Sequence, residues 1–100
     1  MYSTRAIPST LLNKWGAGSF STIADSVNYH FATHAGRMGI KDIVSYINAA
    51  DSMRLQFTST SQGTHVQGAT PNVYRYRANG LFVDVAGTNP KTGILISFGY

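Results

Sequence analysis

Hydrophobic residues in the first half of the chain are spaced as they are in amphipathic helices. A short helix is predicted to begin at Ser9 or Thr10 and to run through Trp15, and the glycines of the 16–18 segment end it. In the next predicted helix, apolar and imidazole side chains recur at helical spacing, namely Ile23, Val27, His30, Phe31 and His34. The pattern therefore indicates helical structure over about residues 9–53.

Small polar residues and glycines mark the ends of the longer helices. The third helix is predicted to run from about Lys41 to Met53, with Asp42 favourably placed in its first turn. The residues expected on its inner face are Ile43, Val44, Ile47 and Ala50. The residues expected to bound the second helix are Ser19 or Ser21 at its start and Gly36 or Gly39 at its end.

After Met53 the pattern changes to that of short β-strands. Residues 58–72 are polar and contain glycine, which indicates a loop with one short strand at about 64–67. The β-rich runs that follow are Val73–Arg77, Leu81–Val85 and Ile94–Phe98. The Asn79-Gly80 pair predicts a hairpin turn, and the Asn89–Gly93 segment predicts a second turn in which Gly93 is free to take a positive φ.

This order of elements predicts an α+β fold, with two to three N-terminal helices packed on a C-terminal antiparallel sheet of about four strands. A chain of 100 residues fits one domain, and 43% hydrophobic residues are typical of a globular chain. We therefore expect a single domain over residues 1–100, with a helical part at about 9–53 and a β-meander at about 64–100. No internal repeat or linker indicates a second domain.

The composition excludes several kinds of chemistry. The chain has no cysteine, which excludes disulfides, thiolate nucleophiles and cysteine-ligated zinc, and which makes a deaminase a weak hypothesis. It also has no glutamate, and its four aspartates are attributed to helix caps and turns. No apolar run approaches the roughly 20 residues that cross a bilayer, so we expect no membrane span. The first eight residues lack the layout of a signal peptide, so any export information is expected elsewhere.

The charge distribution favours a polyanionic partner. Eight Lys and Arg residues face four Asp residues, for a net charge of +4. The basic residues that oppose Asp84 alone in the second half are Arg54, Arg75, Arg77 and Lys91. Such an excess suits RNA, DNA or a phosphoinositide surface, although a merely soluble basic protein would have the same charge.

Two histidines stand four residues apart on the second predicted helix. His30 and His34 therefore point the same way, which suits a metal ion, acid–base catalysis near pH 7, or simple filling of the helix face beside Phe31. A metal needs a third ligand, and the residues between the two histidines lack the glutamate of the common zinc motif. Without glutamate, a histidine is the remaining candidate for a general base. We therefore expect neither a metal nor another cofactor.

Alternation along the predicted strands assigns side chains to faces of the sheet. Arg75 and Arg77 are expected on one face of their strand with Val73, and Tyr74 and Tyr76 on the other. In the last strand, the predicted faces are Ile94, Ile96 and Phe98 on one side and Leu95 and Ser97 on the other. Two arginines flanked by tyrosines suit phosphate clamping and base stacking, and equally suit a solvated outer face.

Several segments resemble one family of toxin domains. The stretch Tyr29-His-Phe-Ala-Thr-His-Ala-Gly-Arg-Met-Gly-Ile40 is similar to the end of the histidine-bearing helix in the barnase/EndoU/colicin/RelE (BECR) group. The segments that resemble the group's C-terminal meander are Arg75-Tyr76, Gly80-Leu-Phe82 and Gly93-Ile-Leu-Ile-Ser97-Phe98. The resemblance covers about residues 20–100 in order. It departs from the family at Ala35, Arg77 and Ser97, where the family has Gly, Asp and Thr.

The resemblance implies an endoribonuclease toxin, of the kind found at the end of contact-dependent growth inhibition proteins and other polymorphic bacterial toxins. Such domains cleave RNA, often tRNA, and are neutralised by an immunity protein, here expected to be acidic and to cover the Arg75 and Arg77 face. The resemblance also implies secretion or cell-surface delivery as part of a larger effector, with action in the target-cell cytoplasm.

The implied reaction is attack of a 2′-hydroxyl on the adjacent phosphorus, which needs no metal because the substrate contains the nucleophile. His34 is expected to act as base or acid with His30 as its companion, Arg75 to stabilise the phosphate, and Ser97 to donate a hydrogen bond to it. The residues expected to bind substrate are Arg77, Lys41, Tyr76 and Tyr100.

Two hypotheses from other classes compete with the enzyme. A non-catalytic RNA-binding module would use the same basic, tyrosine-bearing face. An antitoxin or immunity protein fits poorly, because an inhibitor of a basic nuclease is expected to be acidic.

Overall fold

The change of pattern near residue 53 also divides the three-dimensional structure. The computed structural model describes residues 7–68 and 72–100, so that residues 69–71 of the predicted loop, like residues 1–6, lie outside it. The helices are α1 (Ser9–Leu12), α2 (Ile23–His34) and α3 (Ile43–Arg54), with a 3₁₀ turn at Ala35–Met38. The strands are β1 (Thr64–His65), β2 (Val73–Ala78), β3 (Leu81–Ala86) and β4 (Ile94–Gly99), in one antiparallel sheet of order β1-β2-β3-β4. The predicted α+β fold class is confirmed.

Side-chain caps fix where the two long helices begin. The Thr22 hydroxyl accepts a hydrogen bond from the Asp25 amide at 3.0 Å, and the Asp42 carboxylate accepts one from the Ser45 amide at 2.8 Å. The helix α2 therefore begins after Thr22 rather than at either predicted serine. At its other end, Gly39 closes the 3₁₀ turn in the left-handed conformation with φ 71°.

The prediction that the first helix runs through Trp15 is wrong. The helix α1 ends at Leu12, and the segment after it runs parallel to β4. The Leu95 amide donates to the Lys14 carbonyl at 2.9 Å, and the Gly16 amide donates to the Leu95 carbonyl at 2.7 Å. Trp15 is thereby buried at the sheet edge, where its indole N–H donates to the Ser26 hydroxyl at 3.2 Å.

The turns on either side of β3 depend on glycine in different ways. Asn79 and Gly80 have φ values of 56° and 79°, as the predicted two-residue hairpin requires. In the next turn, the positive φ expected at Gly93 occurs instead at Gly87, with φ 111°. Gly93 is needed for space, because a Cβ there would lie 2.2 Å from Cγ1 of Val85.

A bulge in β4 changes which side chains face the core. Asp84 pairs with Ser97 and Val85 pairs with Leu95, so Ile96 is an extra residue in β4. The predicted strict alternation is therefore wrong here: Leu95 and Phe98 both face the core, and Ser97 lies on the opposite face. The bulge places a hydroxyl beside Asp84 without removing either apolar residue from the core.

The core lies between the helices and the inner face of the sheet. Of the inner face predicted for α3, Ile47 and Ala50 are fully buried, whereas Ile43 and Val44 are only half-buried. Tyr46 completes that face and donates its hydroxyl hydrogen bond to the Phe98 carbonyl. Other large side chains that are fully buried in this core are Trp15, Val27, Val83, Val85 and Leu95. None of the helices within residues 7–68 and 72–100 has the length and apolar character to cross a membrane.

Replacing Tyr46 by Phe tests the link between α3 and β4. We expect Tyr46→Phe to lower the free energy of unfolding by about 1–3 kcal/mol, because it leaves the buried Phe98 carbonyl without its donor. Urea denaturation followed by circular dichroism measures the change. Tyr74→Phe is the matched control, since Tyr74 is only half-buried and its hydroxyl bonds to nothing in the described part of the chain. Equal stability of the two variants would contradict the expectation.

Candidate active site

A groove lies where α2 runs beside β4, on the face of the sheet that is turned away from the core. Its volume is about 440 Å³. The ionisable and hydroxyl-bearing residues that line it include His30, His34, Arg75, Asp84, Ser97 and Tyr100. The groove therefore brings together all four residues predicted to be catalytic, although they are distributed over a helix and two strands.

The two histidines form a parallel pair. His30 and His34 lie one turn apart on α2, and their ring planes are 7° from parallel with centroids 6.1 Å apart. His30 Nδ1 lies 2.8 Å from the Ser26 carbonyl oxygen, which can only accept, so Nδ1 carries the hydrogen. This leaves Nε2 of His30 for proton transfer.

Gly99 and Phe82 define the place of the His34 ring. A Cβ at Gly99 would lie 2.7 Å from Cγ and Nδ1 of His34, so the imidazole packs directly on the β4 backbone. On another side, the Phe82 ring meets it at 90° with centroids 5.6 Å apart. The ring is confined between a strand backbone and an aromatic side chain.

Arg75 and Asp84 form a bidentate ion pair across β2 and β3. Nε of Arg75 donates to Oδ1 of Asp84 at 2.7 Å, and Nη2 donates to Oδ2 at 2.9 Å. The guanidinium carbon lies 3.9 Å above the centroid of the Phe82 ring. Because the carboxylate occupies Nε and Nη2, the other guanidinium nitrogen, Nη1, remains to bind an anion.

Asp84 was not expected in the site, and the attribution of all four aspartates to caps and turns is wrong. Asp25 and Asp42 do lie at helix starts, but Asp51 lies within α3 and pairs with Lys14 and Arg54. Asp84 lies in the middle of β3 and is 4% exposed. The sequence does contain the signal: a two-residue hairpin at 79–80 pairs residue 75 with residue 84, so the one charged residue of an apolar strand faces an arginine.

Both histidines have a lowered pKa. Burial is the main cause for His30, and the hydrogen bond to the Ser26 carbonyl partly opposes it. Burial also lowers the pKa of His34, and the positive charge of Arg75 lowers it further, against the opposing effect of Asp84. Both imidazoles are therefore mostly neutral at pH 7, which is the form that accepts a proton.

The remaining predicted site residues are placed differently from one another. The Tyr100 hydroxyl donates to the Arg37 carbonyl at the end of the groove. Arg77 is exposed and does not itself line the groove, although its guanidinium carbon lies 5.7 Å from the centroid of the lining residue Phe82. Lys41 is exposed just before α3 and does not line the groove. Tyr76 lies on the core face, buried against Phe57, so the structure does not bring it to the groove.

Comparisons with known proteins assign no function to the groove, so a functional proposal depends on the geometry of its residues. No protein-family model, curated protein or solved structure matches this chain significantly. Across residues 7–68 and 72–100, no three His, Asp or Glu side chains come close enough together to hold a metal ion.

The effect of Arg75 on its neighbour can be measured directly. We expect Arg75→Gln to raise the pKa of His34, because the variant removes a nearby positive charge and leaves the Asp84 carboxylate uncompensated. Titration of the imidazole resonances by NMR provides the value. Arg77→Gln is the matched control, since it removes the same charge from the same strand without breaking the ion pair. An unchanged or lower His34 pKa in Arg75→Gln would contradict the assigned electrostatics.

Proposed function

We propose that this protein is an endoribonuclease that cleaves RNA without a metal, by attack of a 2′-hydroxyl on the adjacent phosphorus. The observation that supports the proposal is the groove itself, in which two parallel imidazoles share one cavity with an arginine held by a buried carboxylate. The products are a 2′,3′-cyclic phosphate and a 5′-hydroxyl. The bond from the 2′-oxygen to phosphorus forms as the bond from phosphorus to the 5′-oxygen breaks.

The histidine pair supplies the two proton transfers. One imidazole accepts the proton of the attacking 2′-hydroxyl, and the other donates a proton to the leaving 5′-oxygen. His30 takes part through Nε2, because its Nδ1 hydrogen is held by the Ser26 carbonyl. His34 takes part from its confined position between Phe82 and the backbone of Gly99.

Arg75 and Ser97 stabilise the charge that develops on the phosphorane. The free Nη1 of Arg75 donates to a non-bridging oxygen, and the Ser97 hydroxyl donates to the phosphate from β4, which lies on the other side of β3. Asp84 holds the guanidinium in place through two hydrogen bonds, so Arg75 does not need to reorganise when charge develops.

The proposal extends to the biological setting that the resemblance to BECR toxin domains implies. tRNA is the proposed substrate, and competition between bacteria the proposed role. The domain would be delivered as part of a larger secreted or cell-surface effector and act in the target-cell cytoplasm. Arg75 and Arg77, which face the same side of the sheet, would be covered in the producing cell by an acidic immunity protein.

Cleavage of RNA in the presence of excess chelator tests the activity. We expect the purified protein to cut tRNA into discrete fragments that carry 2′,3′-cyclic phosphate ends. We expect His34→Ala to lower the cleavage rate by about 100-fold or more, because it removes a general acid or base. His65→Ala is the matched control, since His65 is exposed on β1 and does not line the groove.

Three results would contradict the proposed activity or its assignment. Full activity in His34→Ala would remove that histidine from the mechanism. Binding of RNA without fragments would favour the non-catalytic RNA-binding module. Cleavage that the chelator abolishes would indicate a metal-dependent reaction.

The pH dependence follows from the lowered pKa values. The base must be neutral and the acid protonated, so kcat/KM should be bell-shaped and report the free protein's two pKa values. Because both lie below the ordinary 6.5, we expect the maximum of kcat/KM below pH 6.5, with activity falling through neutral pH. Cleavage rates at low substrate concentration, measured at constant ionic strength, provide the profile. A maximum above pH 7 would contradict this use of the two histidines.

A further inference from the structure

A second cavity adjoins the groove beside His30. Its volume is about 270 Å³, and it lies between the loop at residues 17–20, the start of α2 and the loop at residues 67–68. The two cavities share three lining residues, which are His30, Val73 and Ile96. A molecule in the groove can therefore extend into the second cavity without leaving the surface.

The lining of this cavity differs from that of the groove in its charge. Over the described residues it contains no Lys, Arg, Asp or Glu, and only His30 can ionise. Its other walls combine the Phe20 ring, the Gln67 amide and small side chains such as Ser19. A phosphate would gain little there, because phosphates are bound by cationic side chains. A flat, uncharged heterocycle would gain both stacking area and hydrogen-bond partners.

Local structure fixes the position of Phe20 in the wall of the cavity. The Phe20 amide donates to the Ala17 carbonyl at 2.9 Å, and Gly18 takes φ 58° within the turn that this bond closes. The Phe20 ring lies 5.1 Å from the ring of Tyr29 and 5.6 Å from that of His30, centroid to centroid. An aromatic wall is thus fixed directly beside one of the two proposed proton-transfer groups.

We propose that this cavity binds the nucleobase of a nucleotide next to the scissile phosphate, with Phe20 as its stacking platform. The proposal rests on the proposed function, since it places the phosphate at Arg75 in the groove. The sugar then passes the boundary formed by His30, Val73 and Ile96, and the base enters the uncharged cavity. Binding the base in this way positions the adjacent 2′-hydroxyl or 5′-oxygen at the histidine pair.

Oligonucleotides with a single cleavable bond test the proposal. Each oligonucleotide is DNA with one ribonucleotide, so that only the phosphate after that ribonucleotide can be cleaved. The nucleotide on either side of this phosphate carries its base in one version and is abasic in another. For the wild-type protein, we expect an abasic site on one particular side to lower kcat/KM by roughly 5- to 150-fold, the range for loss of one stacked base. An abasic site on the other side should have a smaller effect.

Phe20→Ala should remove this preference. We expect Phe20→Ala to lower kcat/KM for the base-bearing oligonucleotide by the same factor as the abasic site does in the wild-type protein. The variant should cleave the abasic oligonucleotide as fast as the wild type does, because removing the ring and removing the base abolish the same contact. Phe20→Tyr should restore the preference. Gln67→Ala should weaken it, with Gln62→Ala as the matched control, because Gln62 is also an exposed glutamine and lies outside the cavity.

Loss of the proposed base site and loss of the proposed activity give different results. If Phe20→Ala lowers kcat/KM equally for both oligonucleotides, the ring only supports His30, and the base site is wrong. If the wild-type protein cleaves nothing, the proposed activity is wrong, and the base site is then tested by affinity for uncleavable all-deoxy oligonucleotides. A base-bearing strand that binds no tighter than its abasic form, or a difference that persists in Phe20→Ala, would overturn the base site.

Discussion

The buried carboxylate of Asp84 is the charge around which the outer face of the sheet is organised. A carboxylate that is 4% exposed is costly unless it is paired, and here Arg75 pairs with it through two hydrogen bonds. The pairing fixes the guanidinium above Phe82, and Phe82 in turn packs against His34. The groove is therefore one connected set of contacts, in which the position of each reactive group depends on a neighbour.

The inner face of the sheet packs the core, whereas the outer face borders the groove. The inner face packs Val83, Val85 and Leu95 against the helices, and Tyr46 ties α3 to the last strand. The outer face carries Arg75, Asp84 and Ser97, and α2 adds the two histidines beside it. The bulge at Ile96 allows both, because it places Ser97 on the outer face while Leu95 and Phe98 stay in the core. Stability and the proposed chemistry thus depend on largely different side chains of the same strands.

Local signals predicted the fold well, and contacts between distant segments account for what they missed. The 79–80 hairpin follows from turn chemistry, and with it the places of Arg75 and Phe82. Trp15 joins the sheet because a strand eighty residues later offers free backbone groups, which no local pattern reveals. The face of Ser97 depends on a bulge that interrupts the period of two. The position of Asp84 could have been predicted from the sequence, since the hairpin register alone places it opposite Arg75.

Position 99 must be glycine to make room for the His34 ring, and not because the strand itself requires a glycine there. A side chain at this position would suit the end of a β-strand, yet it would occupy the space in which the His34 ring lies. Among natural variants of this domain, a larger residue at position 99 would therefore be compatible with the architecture but not with the present placement of the imidazole. The residue found at this position would distinguish domains that retain the histidine arrangement from those that retain only the scaffold.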